Sequence, residues 1–242
     1  MRKILLALLF SAAVFADDFV VGTSSGYAPF VSLDERGNYE GFDIDVARLL
    51  ADKLGRKLVI KDFGSMPSQM LALKQGRVDA LIWAISITEE RKKHLCMIHY
   101  QGDPLMALPF LFWKEVPAGV NTIADLQEVC VESGSFQEAV VAAFPKTQRK
   151  NVEKISDVIL SLKTNKVMAA AVDPALIPRV QKQYPQMKVV NLPIPEAQQS
   201  FGNGICVNKK ETALAQKVQE AVDNLKSEGK IRELEQKWGL TP

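Results

Sequence analysis

Arg91, Ser86, Gly134, Ser135, Phe136 and Asp173 have the types and settings to hold a small charged molecule. An arginine offers a planar fork of N–H donors that grips a carboxylate through two parallel hydrogen bonds. Arg91 follows Ser86-Ile87-Thr88-Glu89-Glu90, where Thr88 and two acidic residues mark the opening of a helix. Gly134-Ser135-Phe136-Gln137-Glu138 marks another, because Ser135 and Glu138 have capping-box spacing. The free N–H groups at such a start attract an anion. Asp173 ends an apolar run before Pro174 and supplies a carboxylate suited to an ammonium group. Together these groups complement a free α-amino acid. Taken singly, each also has a plain structural role: Arg91 on a solvated helix face paired with a glutamate, Ser135 and Asp173 as helix caps. Their shared position at strand ends favours the ligand set, since ligands sit at the carboxyl edge of α/β sheets.

The elements that must position these residues follow from periodicity. Residues 19–22 form a short apolar strand. A helix over residues 43–54 carries Val46, Leu49, Leu50 and Leu54 at helical spacing and stops at Gly55. Residues 57–61 form a strand, and Ser65-Met66-Pro67-Ser68 opens a second helix with proline in its first turn. Residues 78–82, preceded by Gly76, read as a buried strand leading to Trp83. This alternation predicts a parallel sheet covered on both faces. The pattern changes at Gly102-Asp103-Pro104, where residues 105–113 are apolar throughout, and a second alternation begins at Thr122. It includes a short helix over 123–126, strands over 129–132, 167–172 and 188–192, and helices carrying Val140, Val141 and Phe144, then Val158, Ile159 and Leu162. A last strand over 205–208 precedes helices over 211–226 and 230–238. Two similar α/β lobes are the expectation.

Composition narrows the function classes. Arg2 and Lys3, the apolar residues 4–15 and Val14-Phe15-Ala16 have the layout of a cleavable export signal over residues 1–16. The apolar run is too short to span a bilayer. Without that segment the 30 basic residues fall to 28, equal to the 28 acidic ones. A neutral chain without basic runs interleaved with aromatics is a poor nucleic-acid binder. Cys96, Cys130 and Cys206 are an odd number for an exported chain, and two of them sit in strand-like runs where a small buried hydrophobe is usual. His94, Cys96 and His99 do not share a helical face, so no metal site and no cofactor are expected.

From Val20 to Trp238 the chain resembles the periplasmic solute-binding proteins of polar amino-acid ABC transporters, the family of the lysine/arginine/ornithine-, histidine-, glutamine- and cystine-binding proteins. The resemblance is carried by Val21-Gly22-Thr23 with Tyr27-Ala28-Pro29-Phe30, by Gly41-Phe42-Asp43-Ile44-Asp45-Val46-Ala47 and by Arg77-Val78-Asp79-Ala80. Ser86-Ile87-Thr88-Glu89-Glu90-Arg91, Gly134-Ser135-Phe136-Gln137-Glu138, Gly202-Asn203-Gly204-Ile205 and Leu234-Glu235-Gln236-Lys237-Trp238-Gly239 complete it. It implies an α/β, two-lobed periplasmic-binding-protein-like (type II) fold, each lobe a mainly parallel sheet flanked by helices and joined by two crossover strands. Lobe 1 would comprise residues 17–104 and 196–242, and lobe 2 residues 105–195. A free polar amino acid of the Arg, Lys, His or Gln kind would be captured in the cleft and delivered to an inner-membrane permease by a monomeric periplasmic protein.

By the same resemblance Arg91 takes the ligand carboxylate with backbone at Ser86 and Ser135-Phe136, Asp173 the α-ammonium, and Tyr27 packs on the side chain. The chain departs from the family pattern at Ser24, where binders of cationic side chains carry an acid, and at Met66, where an aromatic platform is usual. Trp83 and Ala84 occupy positions commonly small and polar. These changes argue against strong lysine or arginine selectivity, unless Glu132 restores a negative charge. The rival class is an exported cyclohexadienyl or arogenate dehydratase, which needs a positioned acid. In those enzymes a glutamate lies just beyond the strand end, whereas Pro174-Ala175-Leu176 follow Asp173 here.

Overall fold

The computed structural model describes residues 17–240, so the export signal read over residues 1–16 lies outside the described residues. From the amino end run β1 (Asp18–Thr23), the hairpin strands β2 (Ser32–Leu33) and β3 (Tyr39–Glu40), α1 (Phe42–Leu54) and β4 (Lys57–Asp62). Next come α2 (Met66–Lys74), β5 (Ala80–Leu81), α3 (Glu89–His94) and the long β6 (Leu95–Leu105). The middle of the chain supplies β7 (Ala107–Phe112), β8 (Glu128–Glu132), α4 (Phe136–Ala142), β9 (Gln148–Val152) and α5 (Ile155–Lys163). β10 (Ala169–Ala171), α6 (Ile177–Gln183), β11 (Lys188–Pro193), β12 (Ser200–Asn208), α7 (Thr212–Ser227) and α8 (Lys230–Trp238) complete it.

Two five-stranded sheets result, in the orders β4-β1-β5-β12-β6 and β11-β7-β10-β8-β9. The chain passes from the first to the second between β6 and β7 and returns between β11 and β12. Each sheet is half parallel. In the first, β1 runs parallel to β4 and β5 while β12 runs antiparallel to β5 and β6. In the second, β8 runs parallel to β9 and β10 while β7 runs antiparallel to β10 and β11. The helical crossovers account for the parallel pairs, and the strands flanking the two passages between sheets make the antiparallel ones.

Local chemistry explains the elements. α1 buries Phe42, Ile44, Val46, Ala47 and Leu50 and ends where Gly55 takes a left-handed conformation (φ 64°). α2 is tied to the first sheet by Gln69, whose side-chain amide donates to the Thr23 carbonyl at the end of β1. Phe19, Val21, Leu50, Leu73, Leu81 and Ile205 lie in one buried cluster, and Phe110, Phe112, Val129, Val131 and Val140 in another. Besides β6 and β9, two strands that the sequence reading does not single out, three elements differ from the sequence expectation. β5 is only Ala80–Leu81, because the chain turns out of the sheet at Ala84, which has a positive φ of 43°. The helix expected over 123–126 is a single 3-10 turn, Ile123–Asp125, closed by a Thr122/Asp125 capping box. β12 starts at Ser200 rather than 205, since its polar, glycine-rich half pairs with β6 across two register shifts. A side chain at Gly202 would come within 2.5 Å of the Gly102 carbonyl oxygen, which only glycine allows.

Candidate functional site

A small cavity opens between the two sheets. From the first-sheet side it is lined by Tyr27, Met66, Trp83, Ala84, Ile85, Ser86 and Arg91; from the second by Glu132, Ser135, Phe136, Gln137 and Asp173. These residues follow the carboxyl ends of β1, β4, β5, β8 and β10, the edge at which α/β sheets hold ligands.

Arg91 is placed by the start of α3. The Thr88 hydroxyl accepts the Arg91 backbone N–H (3.2 Å), fixing the first turn. Nη1 then donates to the Ser86 carbonyl (2.8 Å) and Nη2 to the Gly134 carbonyl (2.9 Å), so one guanidinium touches both halves of the cavity. Both partners are neutral, and among the described residues no carboxylate pairs with it. Burial holds its pKa below the ordinary arginine value. The guanidinium remains a cation in want of an anion.

The acids stand opposite. Asp173 Oδ1 accepts the Ala175 N–H (2.8 Å), capping the turn after β10. Burial lifts its carboxyl to about 6, with the Ala175 bond acting against the rise. Glu132, the last residue of β8, is lifted to about 7 by burial and then by the negative charge of Glu153. Neither acid has a cationic partner among the described residues. A cation entering the cavity would restore what burial withholds from both.

The α4 start is partly spent on itself. Ser135 Oγ accepts the Glu138 N–H (3.0 Å), as the spacing predicts, but the Glu138 carboxylate reaches the Gly134 N–H (2.6 Å) rather than that of Ser135. The Ser135 N–H goes to the Glu132 carbonyl (3.1 Å), which leaves the Phe136 and Gln137 N–H groups as the donors of that turn. On the apolar wall Trp83 meets Tyr27 edge-on, their centroids 6.1 Å apart at 73°. Trp83 is both cavity wall and part of the buried cluster, and its Nε1 has no partner among the described residues.

Of the residues singled out from sequence, Tyr27, Met66, Trp83, Ala84, Ser86, Arg91, Ser135, Phe136 and Asp173 converge on this cavity. Two do not line it. Ser24 is buried with its hydroxyl donating to the Gly64 carbonyl (2.9 Å), which ties the end of β1 to the turn before α2. Gly134 contributes its carbonyl to Arg91 rather than a wall. Ile85, Gln137 and Glu132 line the cavity as well and are not singled out as ligand contacts by the sequence. Ile85 sits in an apolar run that signals only core, and Gln137 was hidden inside a capping motif. Glu132 stands out in the sequence only as a possible negative charge. Among the described residues no group of three potential metal ligands is present.

The model of the bacterial extracellular solute-binding proteins, family 3, matches residues 19–241. A protein of Chlamydia trachomatis, named a probable ABC transporter arginine-binding protein, is 35% identical over 225 residues, 93% of this chain and 87% of that protein. Among solved structures, an ancestral arginine-binding protein bound to arginine superposes with a TM-score of 0.79 at 29% identity, covering 93% of this chain and 99% of that one. An ancestral arginine-binding protein bound to glutamine gives 0.77 at 30% identity, covering 91% and 97%. All three are named as binding proteins, which sets the dehydratase alternative aside.

Proposed function

The chain belongs to the bacterial extracellular solute-binding proteins of family 3, and we propose that it captures a free L-amino acid with a cationic side chain, arginine foremost, between its two lobes. One observation carries the choice of ligand. A lone guanidinium and two acids, none with a charged partner among the described residues, meet at one cavity. The zwitterionic head of an amino acid answers Arg91 with its carboxylate and Asp173 with its ammonium. Glu132 is then left with a negative charge that a side-chain cation satisfies. A neutral side chain would leave that acid buried and unpaired, at a cost of roughly 1–3 kcal/mol. The weak arginine preference expected from Ser24 rested on a missing acid; in this reading Glu132 supplies it from the opposite lobe. The names of the Chlamydia relative and of the ancestral structures support arginine, while the glutamine complex marks the neutral competitor to test.

In this reading lobe 1 comprises residues 17–104 and 196–242 and lobe 2 residues 105–195, closing on the ligand about the two passages between sheets. The ligand favours the closed form by contacts that only both lobes together provide. A monomeric protein in the periplasm would present that closed form to an inner-membrane permease of the ABC type. Among the described residues no helix is long and apolar enough to cross a membrane. Calorimetric titration with arginine, lysine, ornithine and glutamine tests the ligand class. Arginine should bind tightest; binding of none of them, or of glutamine above arginine, would overturn the proposal.

A further inference from the structure

We propose that Asp43 is a positioning residue for the ligand cavity: its carboxylate clamps the backbone of Ala84 and so holds the wall that runs from Trp83 to Ser86. The proposal rests on that cavity being the amino-acid site.

Asp43 is the second residue of α1, where an acidic side chain ordinarily stays in water and complements the helix dipole. Here it is completely buried, and both oxygens serve other elements. Oδ2 accepts the Ala84 N–H (2.7 Å) and Oδ1 accepts the Tyr100 hydroxyl (2.6 Å). Ala84 needs such a hold. Its φ of 43° lies in the left-handed region that alanine disfavours, and it has no polar side chain with which to fix itself. The stretch it belongs to forms one wall of the cavity. Two residues on, the Ser86 carbonyl takes the Arg91 guanidinium. Asp43 therefore acts on the ligand through Ala84 and, further along, through the seat of Arg91.

The clamp is sensitive to its proton. Tyr100 on β6, Tyr27 in the segment before β2 and Asp173 beyond β10 are the titratable groups facing Asp43, and none is a cation. Burial raises the Asp43 carboxyl to about 7, while its two hydrogen bonds resist the rise. Ionised, it accepts from both donors. Protonated, it keeps an acceptor for Ala84 and can donate to a Tyr100 hydroxyl that turns to accept, but the charge that strengthens the Ala84 bond is gone.

Asp43→Asn keeps the shape and an acceptor for Ala84 but removes the charge. Arginine affinity should fall about tenfold at about pH 8, the typical worth of a charged hydrogen bond over a neutral one. The gap to wild type should close as the pH drops to about 5.5, where wild-type Asp43 is itself protonated. An unchanged Kd at the higher pH, or a gap that stays constant with pH, overturns the proposal; a merely structural role would lower the melting temperature and leave this pH pattern absent. If the variant does not fold, the wild-type protein decides. The Ala84 amide proton, followed by NMR without ligand, should titrate with a midpoint near the Asp43 value of about 7, and a resonance indifferent to pH overturns the clamp. Failure of the ligand reading looks different: wild type itself would then bind no amino acid.

Discussion

Arg91 and Glu132 bear most of the ligand reading at the scale of single residues, and their substitutions should behave differently. Arg91→Ala removes a charge-assisted, two-pronged partner and leaves a ligand carboxylate buried against carbonyls. Calorimetry should show arginine affinity down by about 100-fold, near 3 kcal/mol, with every other amino acid weakened alike. An affinity within experimental error of wild type would remove Arg91 from the site. Glu132→Gln should not act alike on all ligands. It should weaken arginine by about tenfold or more while leaving glutamine unchanged or improved, because the amide no longer demands a cation. A parallel loss for both ligands would mean that Glu132 shapes the wall without reading charge.

At the scale of elements, the site depends on how three short starts are built. The Thr88 hydroxyl holds the first turn of α3 through the Arg91 N–H itself, so the cap also fixes the residue proposed to hold the ligand carboxylate. Thr88→Ala should cost about 1 kcal/mol of stability in thermal unfolding. It should also weaken arginine binding, since the guanidinium loses its fixed base. A stability loss with no change in affinity would separate the cap from the site. The starts of α3 and α4 were legible in the sequence because capping chemistry is local and written in adjacent residues, whereas α1, which begins at Gly41 without a side-chain cap, was legible from its apolar spacing. β12 was only half legible: Ser200-Phe201-Gly202-Asn203-Gly204 has no strand periodicity, and its pairing with β6 comes from a partner about a hundred residues away. The same distance hid the charge of the site. Sequence shows which residues follow strand ends and open helices, so Arg91 and Asp173 stood out. It does not show which strand ends face one another, so Glu132 could not be set against Arg91 until both sheets were in place. Asp43 was hidden for a related reason, since an acid at a helix start has an ordinary explanation and nothing local reveals that Ala84 lies above it.

For the whole molecule, the proposed site is a place where folding and binding would oppose each other. Asp43, Glu132 and Asp173 are raised by burial to about 7, about 7 and about 6. Carboxyls raised in the folded state hold protons that the unfolded chain gives up near pH 4. Their contribution to stability is therefore complete below that pH and is lost as the pH rises through about 6 to 7. The ligand-free protein should melt at a lower temperature near pH 8 than near pH 5.5. On the proposed reading arginine reverses the sign for two of them, because its ammonium and guanidinium would favour the ionised forms of Asp173 and Glu132. The rise in melting temperature produced by saturating arginine should consequently grow from about pH 5.5 to about pH 8. Scanning fluorimetry across that range, with and without arginine, measures it directly. An increment that stays flat or shrinks as the pH rises would show that the ligand does not meet these acids. The two lobes would then be closing on something other than a cation.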